Sequence, residues 1–101
     1  MVVYNITIQV NWSIHDEWIA WMQTIHIPEV LSTGKFSHHT LLKLLDMDET
    51  EGPTYAVQFY ATDRKNYEDY IIQFAPLLRE KTKTLWNDDI HAFRTLMEVV
   101  N

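Results

Sequence analysis

The residues of this chain whose types suit chemistry are His26, Glu29, His38, Tyr60 and Arg94, with Trp21 as an aromatic neighbour. His26 and Glu29 lie three apart around Pro28. If the proline leaves them on one side, they can share a proton near neutral pH, where imidazole titrates. The ordinary use of the same pair is capping, because a His at the end of one helix and a Glu in the first turn of the next each favour a helix dipole. His38 and His39 are adjacent in a predicted strand, so their side chains point to opposite faces and cannot chelate one metal together. One of them can then face the sheet beside Tyr60 or Gln58. Arg94 and Glu98 lie four apart in the last strand and share a face, with Leu96 between them. An arginine there can hold a carboxylate or phosphate bidentately, the ordinary alternative being a pair with an acid of its own chain or of a symmetry mate. Trp18, Trp21 and Trp86 offer planar surfaces for a ligand, although Trp18 and Trp21 sit at core helical spacing.

Stronger signatures are missing. The chain has no cysteine, which removes disulfides, thiolate zinc sites and cysteine nucleophiles together. Gly34 and Gly52 are the only glycines, too few for a phosphate-cradling loop. Ser13, Ser32 and Ser37 lack the Gly-x-Ser-x-Gly context of one common nucleophile. His15 and His91 read as a helix-start and a strand-start residue, and no three-histidine or two-histidine-one-carboxylate spacing is evident. Neither a metal nor a cofactor is expected. Cofactor-free proton transfer or oxygen chemistry is the enzyme class least excluded. Fourteen acidic against eight basic residues give a formal charge of -6, and the basic ones are scattered. That balance argues against nucleic acid and anionic membranes, both of which call for clustered Lys and Arg. Only Arg79 to Lys83 approaches a cluster, which the solvated face of a helix explains. No apolar run approaches the roughly 20 residues of a membrane span. The first residues alternate like a strand rather than forming a leader, so cytoplasmic residence is expected.

The elements that must position these groups are legible from periodicity. Val2 to Val10 alternates, with Tyr4, Ile6, Ile8 and Val10 on one face and Val3, Asn5, Thr7 and Gln9 on the other. Ser13 reads as an N-cap, with Asp16 and Glu17 in the first turn and Trp18, Trp21, Met22 and Ile25 as the buried stripe. Pro28 lacks an amide hydrogen and disfavours helical geometry at Ile27, which predicts a kink or stop near His26 and a short second helix ending by Gly34. Phe36 to Met47 is a long strand candidate, predicted to be buried on both sides because Leu41, Leu42, Leu44 and Leu45 fall on both faces. A turn over Asp48 to Pro53 leads to a strand from Tyr55 to Ala61, closing a hairpin. Thr62 or Asp63 caps the next helix, with Tyr67, Tyr70, Ile71 and Phe74 inward, and Pro76 interrupts it before Leu77 to Trp86. After the Asn87-Asp88-Asp89 turn, Ile90 to Val100 is the last strand.

The 101 residues therefore form one α+β domain in the order strand, helix, strand, strand, helix, strand, the ferredoxin-like βαββαβ pattern. Right-handed crossovers place both interrupted helices on one face of a four-stranded antiparallel sheet. The other face, including Asn5, Thr7, Gln9, Gln58 and Tyr60, is too polar for a closed core and too aromatic for plain solvent. It suits a dimer interface or a lined cavity. Thirteen per cent aromatic residues exceed what so small a core hides, which points the same way.

Three segments together resemble a family: His26-Ile27-Pro28-Glu29-Val30, the run from Leu44 to Gln58, and Phe93-Arg94-Thr95-Leu96-Met97-Glu98-Val99. They are similar, over essentially the whole chain, to domain-of-unknown-function family 4286, short bacterial proteins with no assigned activity. The resemblance implies a ferredoxin-like fold similar to the dimeric α+β barrels, a superfamily of monooxygenases, haem proteins, isomerases and proteins of no known activity. Fold does not transfer function, so no residue role is carried over. The expectation is a homodimer that binds a small molecule between the sheet and the Pro28-broken helix, with Trp21, His26, Glu29, His38, Tyr60 and Arg94 as lining candidates. The alternatives are an interaction module without ligand chemistry and a cofactor-free monooxygenase-like enzyme.

Overall fold

The structure, a computed structural model, describes all 101 residues. Four strands form one antiparallel sheet in the order β2-β3-β1-β4: β1 is Val2–Val10, β2 His38–Lys43, β3 Thr54–Ala61 and β4 Ile90–Glu98. β1 and β3 are the central pair, and their register sets Tyr4 opposite Phe59 and Ile6 opposite Val57. On β1's other edge Tyr4 faces Leu96 and Ile6 faces Arg94. The period of two then sends Tyr4, Ile6, Ile8, Val57, Phe59 and Arg94 to the helix-covered face. Val3, Asn5, Thr7, Gln58, Tyr60 and Phe93 go to the open one. A core of 17 buried residues joins the covered face to Trp18, Met22, Ile27, Val30, Tyr70 and Leu78 of the helices.

The first helical layer departs from the sequence expectation. A 3-10 turn at Trp12–Ile14 leads into α1, His15–Trp21, and the Ser13 hydroxyl caps neither element. Pro28 does not stop the helix. The chain stays helical through a π-turn at Met22–His26 and on into α2, Ile27–Ser32, with Ile27 itself at φ -59 and ψ -47. The Ile27 N–H donates to the Met22 carbonyl five residues back. Widening the turn gives the pyrrolidine ring room beside the carbonyl four residues before it, where a regular helix would clash. The extra residue also shifts the phase of the stripe. Ile25, expected inside, is 49% exposed, while Ile27 and Val30 are buried. Gly34 ends the layer as expected, at φ 77 with its N–H on the Leu31 carbonyl.

The second layer comprises α3, Arg64–Gln73, and α4, Ala75–Trp86. Asp63 is the cap, its carboxylate accepting from the Asn66 N–H at 2.9 Å. The break falls at Phe74, two residues before Pro76, which sits in the first turn of α4 where its missing N–H costs no bond. β2 is the other correction. It spans six residues rather than twelve and lies at the sheet edge, with Leu42 and Leu45 exposed, so it is not buried on both sides within one chain. The segment from Leu44 to Pro53 instead straps the end of β1: Trp12 Nε1 donates to the Glu49 carbonyl and the Val10 N–H to the Pro53 carbonyl. Gly52 is required there, because a Cβ at that position would overlap the Val10 carbonyl oxygen.

Candidate functional site

Between the sheet and the helices lies a partly enclosed cavity of about 80 Å³. β1 contributes Tyr4, Ile6 and Ile8, β4 contributes Ile90, Ala92 and Arg94, and α4 contributes Leu78, Arg79 and Thr82. Trp18, Trp21, Met22 and His26 of the first helical layer form the roof. The lining is mostly apolar, with Thr82 and His26 among its polar residues, and at one end the Tyr4 hydroxyl accepts two hydrogen bonds, from Arg79 Nη2 and from Arg94 Nε, each at 3.0 Å. The two guanidinium nitrogens are thus within twice that distance of each other, and neither arginine takes part in an ion pair. The pairing of Arg94 with an acidic residue of its own chain is not found. Tyr70 also lines this end; burial pushes its phenol well above the ordinary range and nearby Tyr4 adds to that, against the opposing pull of Arg79 and Arg94. It is a neutral donor at any physiological pH.

His26 lines the cavity from the first helical layer, its ring stacked on Trp21 at 4.7 Å. Burial lowers its pKa below 6.5 and Glu29 partly opposes this, so the imidazole is held toward its neutral form. Trp21, His26 and Leu78 also line an outer groove of about 480 Å³ between the first helical layer and α4, and they separate the two spaces. Glu29 lies in that outer groove, 3.4 Å from Lys81 Nζ, and makes no hydrogen bond to His26. Trp86 packs edge-on against Trp21 at 5.6 Å, and its indole N–H and that of fully buried Trp18 lack acceptors in the protein.

His38 and Tyr60 lie elsewhere. They stack at 4.2 Å, with ring planes 4° apart, on the open face of the sheet. His39 faces the other way, toward Phe59, as strand alternation requires. A row of side-chain hydrogen bonds crosses the open face: Thr40 to Tyr60 at 3.3 Å, Tyr60 to Gln58 at 3.1 Å, Gln58 to Asn5 at 3.4 Å, and Asn5 to Thr7 at 3.1 Å. The six sequence candidates therefore divide into Trp21, His26 and Arg94 on the cavity, Glu29 on the groove outside it, and His38 with Tyr60 on the opposite face. Tyr4 and Arg79 were not among them. Tyr4 reads as one more apolar residue of the core face and Arg79 as part of a solvated helix. The available signal was a phenol hydroxyl on a buried strand face, a group that needs partners. No group of three His, Asp or Glu side chains is placed to hold a metal ion.

The profile of a family described as Domain of unknown function (DUF4286) matches residues 1–100. This chain belongs to the DUF4286 family. No curated protein matches it. Solved structures that resemble this DUF4286 chain include an ethyl tert-butyl ether d (EthD) family protein from Bacillus halodurans, at 9% identity and TM-score 0.73, the match covering 99% of this chain and 100% of that one. A point variant of MhuD with two manganese protoporphyrin IX bound per active site aligns at 18% identity and TM-score 0.70, covering 100% and 96%. A dimeric ferredoxin-like protein from an uncultured marine organism aligns at 14% identity and TM-score 0.62, also covering 100% and 96%. At such identities the likeness establishes the ferredoxin-like α+β fold and nothing about chemistry. No helix is long and apolar enough to cross a membrane.

Proposed function

We propose that this DUF4286 chain is a homodimeric small-molecule-binding protein whose ligand occupies the cavity between the sheet and the helices. The cavity itself carries the assignment. Protein interiors are close-packed, so an opening of about 80 Å³ between sheet and helices departs from ordinary core packing. A partly enclosed opening between sheet and helices, with convergent polar groups at one end, has the character of a ligand site. Trp21, His26 and Arg94 form part of its wall, and Glu29 borders the adjoining outer groove. The space is well below the several hundred Å³ of pockets for drug-sized ligands, which favours a molecule much smaller than a porphyrin.

Support for the dimer comes from the open face. Phe93, Leu42 and Met97 are 62%, 44% and 38% exposed there, beside the polar row through Tyr60, Gln58 and Asn5. Apolar groups around satisfied polar ones suit a subunit interface. His38 and Tyr60 then belong to that interface rather than to the ligand site, and the two-sided apolar pattern around Leu41 and Leu42 is met by a second copy. The marine protein of the same fold is described as dimeric.

A thermal-shift screen of small acids, aromatic metabolites, haem and flavins tests the proposal, run beside the cavity-filling variant Ile6→Phe. Reproducible stabilisation of the native protein by one small-ligand class, abolished in Ile6→Phe, is expected. Silence across the panel, or equal stabilisation of the variant, would contradict it.

A further inference from the structure

We infer that the ligand of this cavity is a small organic acid, its carboxylate held among Tyr4, Arg79 and Arg94 and its apolar body lying along Ile6 and Ile8. The inference rests on the assignment of the cavity as a ligand site and adds the chemical class. Two guanidinium groups, both on solvent-exposed residues, donate to one phenol oxygen and are thus like charges brought together, and no carboxylate of this chain neutralises either. Tyr4 accepts from both and donates its own proton to no protein acceptor. One end of the cavity thus gathers cationic and neutral donors without a matching acceptor, and a carboxylate fits it, since its two oxygens each accept several hydrogen bonds.

The rest of the lining gives the body of the ligand. Tyr4, Ile6 and Ile8 are alternate residues of β1, so the wall runs about 13 Å from the donor end toward Ile8 and Ile90, by the ordinary rise per strand residue. Beyond Arg94 that wall is apolar, with Ile6, Ile8, Val57 and Ala92. Trp18 closes it, fully buried and with an indole N–H that lacks an acceptor. A free inorganic anion would satisfy the donors and leave this wall empty. A neutral apolar molecule would fill the wall but leave the two guanidinium groups to solvent.

Isothermal titration of the full chain with benzoate, hexanoate, benzamide and inorganic phosphate tests the assignment, on native protein and on Arg94→Gln, Arg79→Gln and Tyr4→Phe. The expected result is binding of at least one of the two acids, with benzamide and phosphate each at least tenfold weaker than that acid. Each arginine variant is expected to weaken the acid at least tenfold while changing benzamide less than twofold. Circular dichroism checks that the variants fold, and Tyr4→Phe, which preserves the buried ring, gives a smaller loss of the same sign. Benzamide binding as tightly as the acids would leave the cavity a ligand site but overturn the acid assignment. Phosphate binding as tightly as the acids would overturn the role of the apolar wall. If neither acid binds while another class in the thermal-shift panel does, the acid assignment fails alone; if nothing in either experiment binds, the ligand site fails with it.

Discussion

His26 makes the fold's stability depend on pH in a defined direction. Its imidazole is buried against Trp21, which lowers its pKa from 6.5, with Glu29 acting in the opposite sense. Between the depressed native pKa and the ordinary value of the unfolded chain, the unfolded state binds a proton that the native state does not. Stability therefore rises with pH across that window: it is full above about pH 6.5 and declines as the pH falls toward the native pKa. One proton sets the upper bound on the slope, about 1.4 kcal/mol per pH unit. For a domain of this size that bound corresponds to a loss of roughly 5–10 °C in Tm per unit. The groove around His26 also holds Glu29, Glu80 and Lys81. Of these, Glu29 is the one that acts on the imidazole, so Glu29→Gln is expected to depress the His26 pKa further and extend the decline to lower pH. His26→Phe keeps the stack and cannot titrate. Thermal melts from pH 7.5 to 5 are expected to show the decline in the native chain and a flatter profile in His26→Phe. An identical slope in the two proteins, or a native chain that gains stability as the pH falls through 6.5, would refute the assignment of the slope to buried His26.

Three shorter predictions address the remaining elements. Gly52→Ala puts a Cβ onto the Val10 carbonyl and displaces the strap that bonds Val10 and Trp12, at a cost of about 3 kcal/mol or more, read as a lower urea midpoint. Asp63→Ala removes the α3 cap and is expected to cost about 1 kcal/mol, checked by the same denaturant titration. Phe93→Glu places a charge in the apolar part of the open face; the native chain is expected to sediment as a dimer and the variant as a monomer, and an unchanged dimer would place the interface elsewhere.

The fold was legible wherever a single period governed a segment. Tyr4 to Val10 alternates apolar and polar residues, and Tyr67 and Tyr70 mark the inward stripe of α3, so the strand and the helix follow from them. Around Pro28 the rule for proline in a regular helix fails because the helix there is not regular. The π-turn accepts the ring and moves Ile25 out of the core, an outcome set by packing rather than by local preference. At β2 consecutive leucines predict burial on two sides, whereas the chain alone covers one. The candidate site was half legible for a related reason. Arg94, His26 and Trp21 stand out by residue type, but the phenol that gathers the arginines is a contact between residues 75 and 90 positions apart. No spacing rule reaches that far.

The most direct test of the ligand site is a crystal structure of the protein grown with benzoate. The expected result is ligand density in the cavity of each subunit of a sheet-to-sheet dimer, with the carboxylate among Arg79, Arg94 and the Tyr4 hydroxyl and the ring against Ile6 and Ile8. Well-ordered benzoate bound only outside an unfilled cavity, with the guanidinium groups turned to acidic partners, would contradict the assignment.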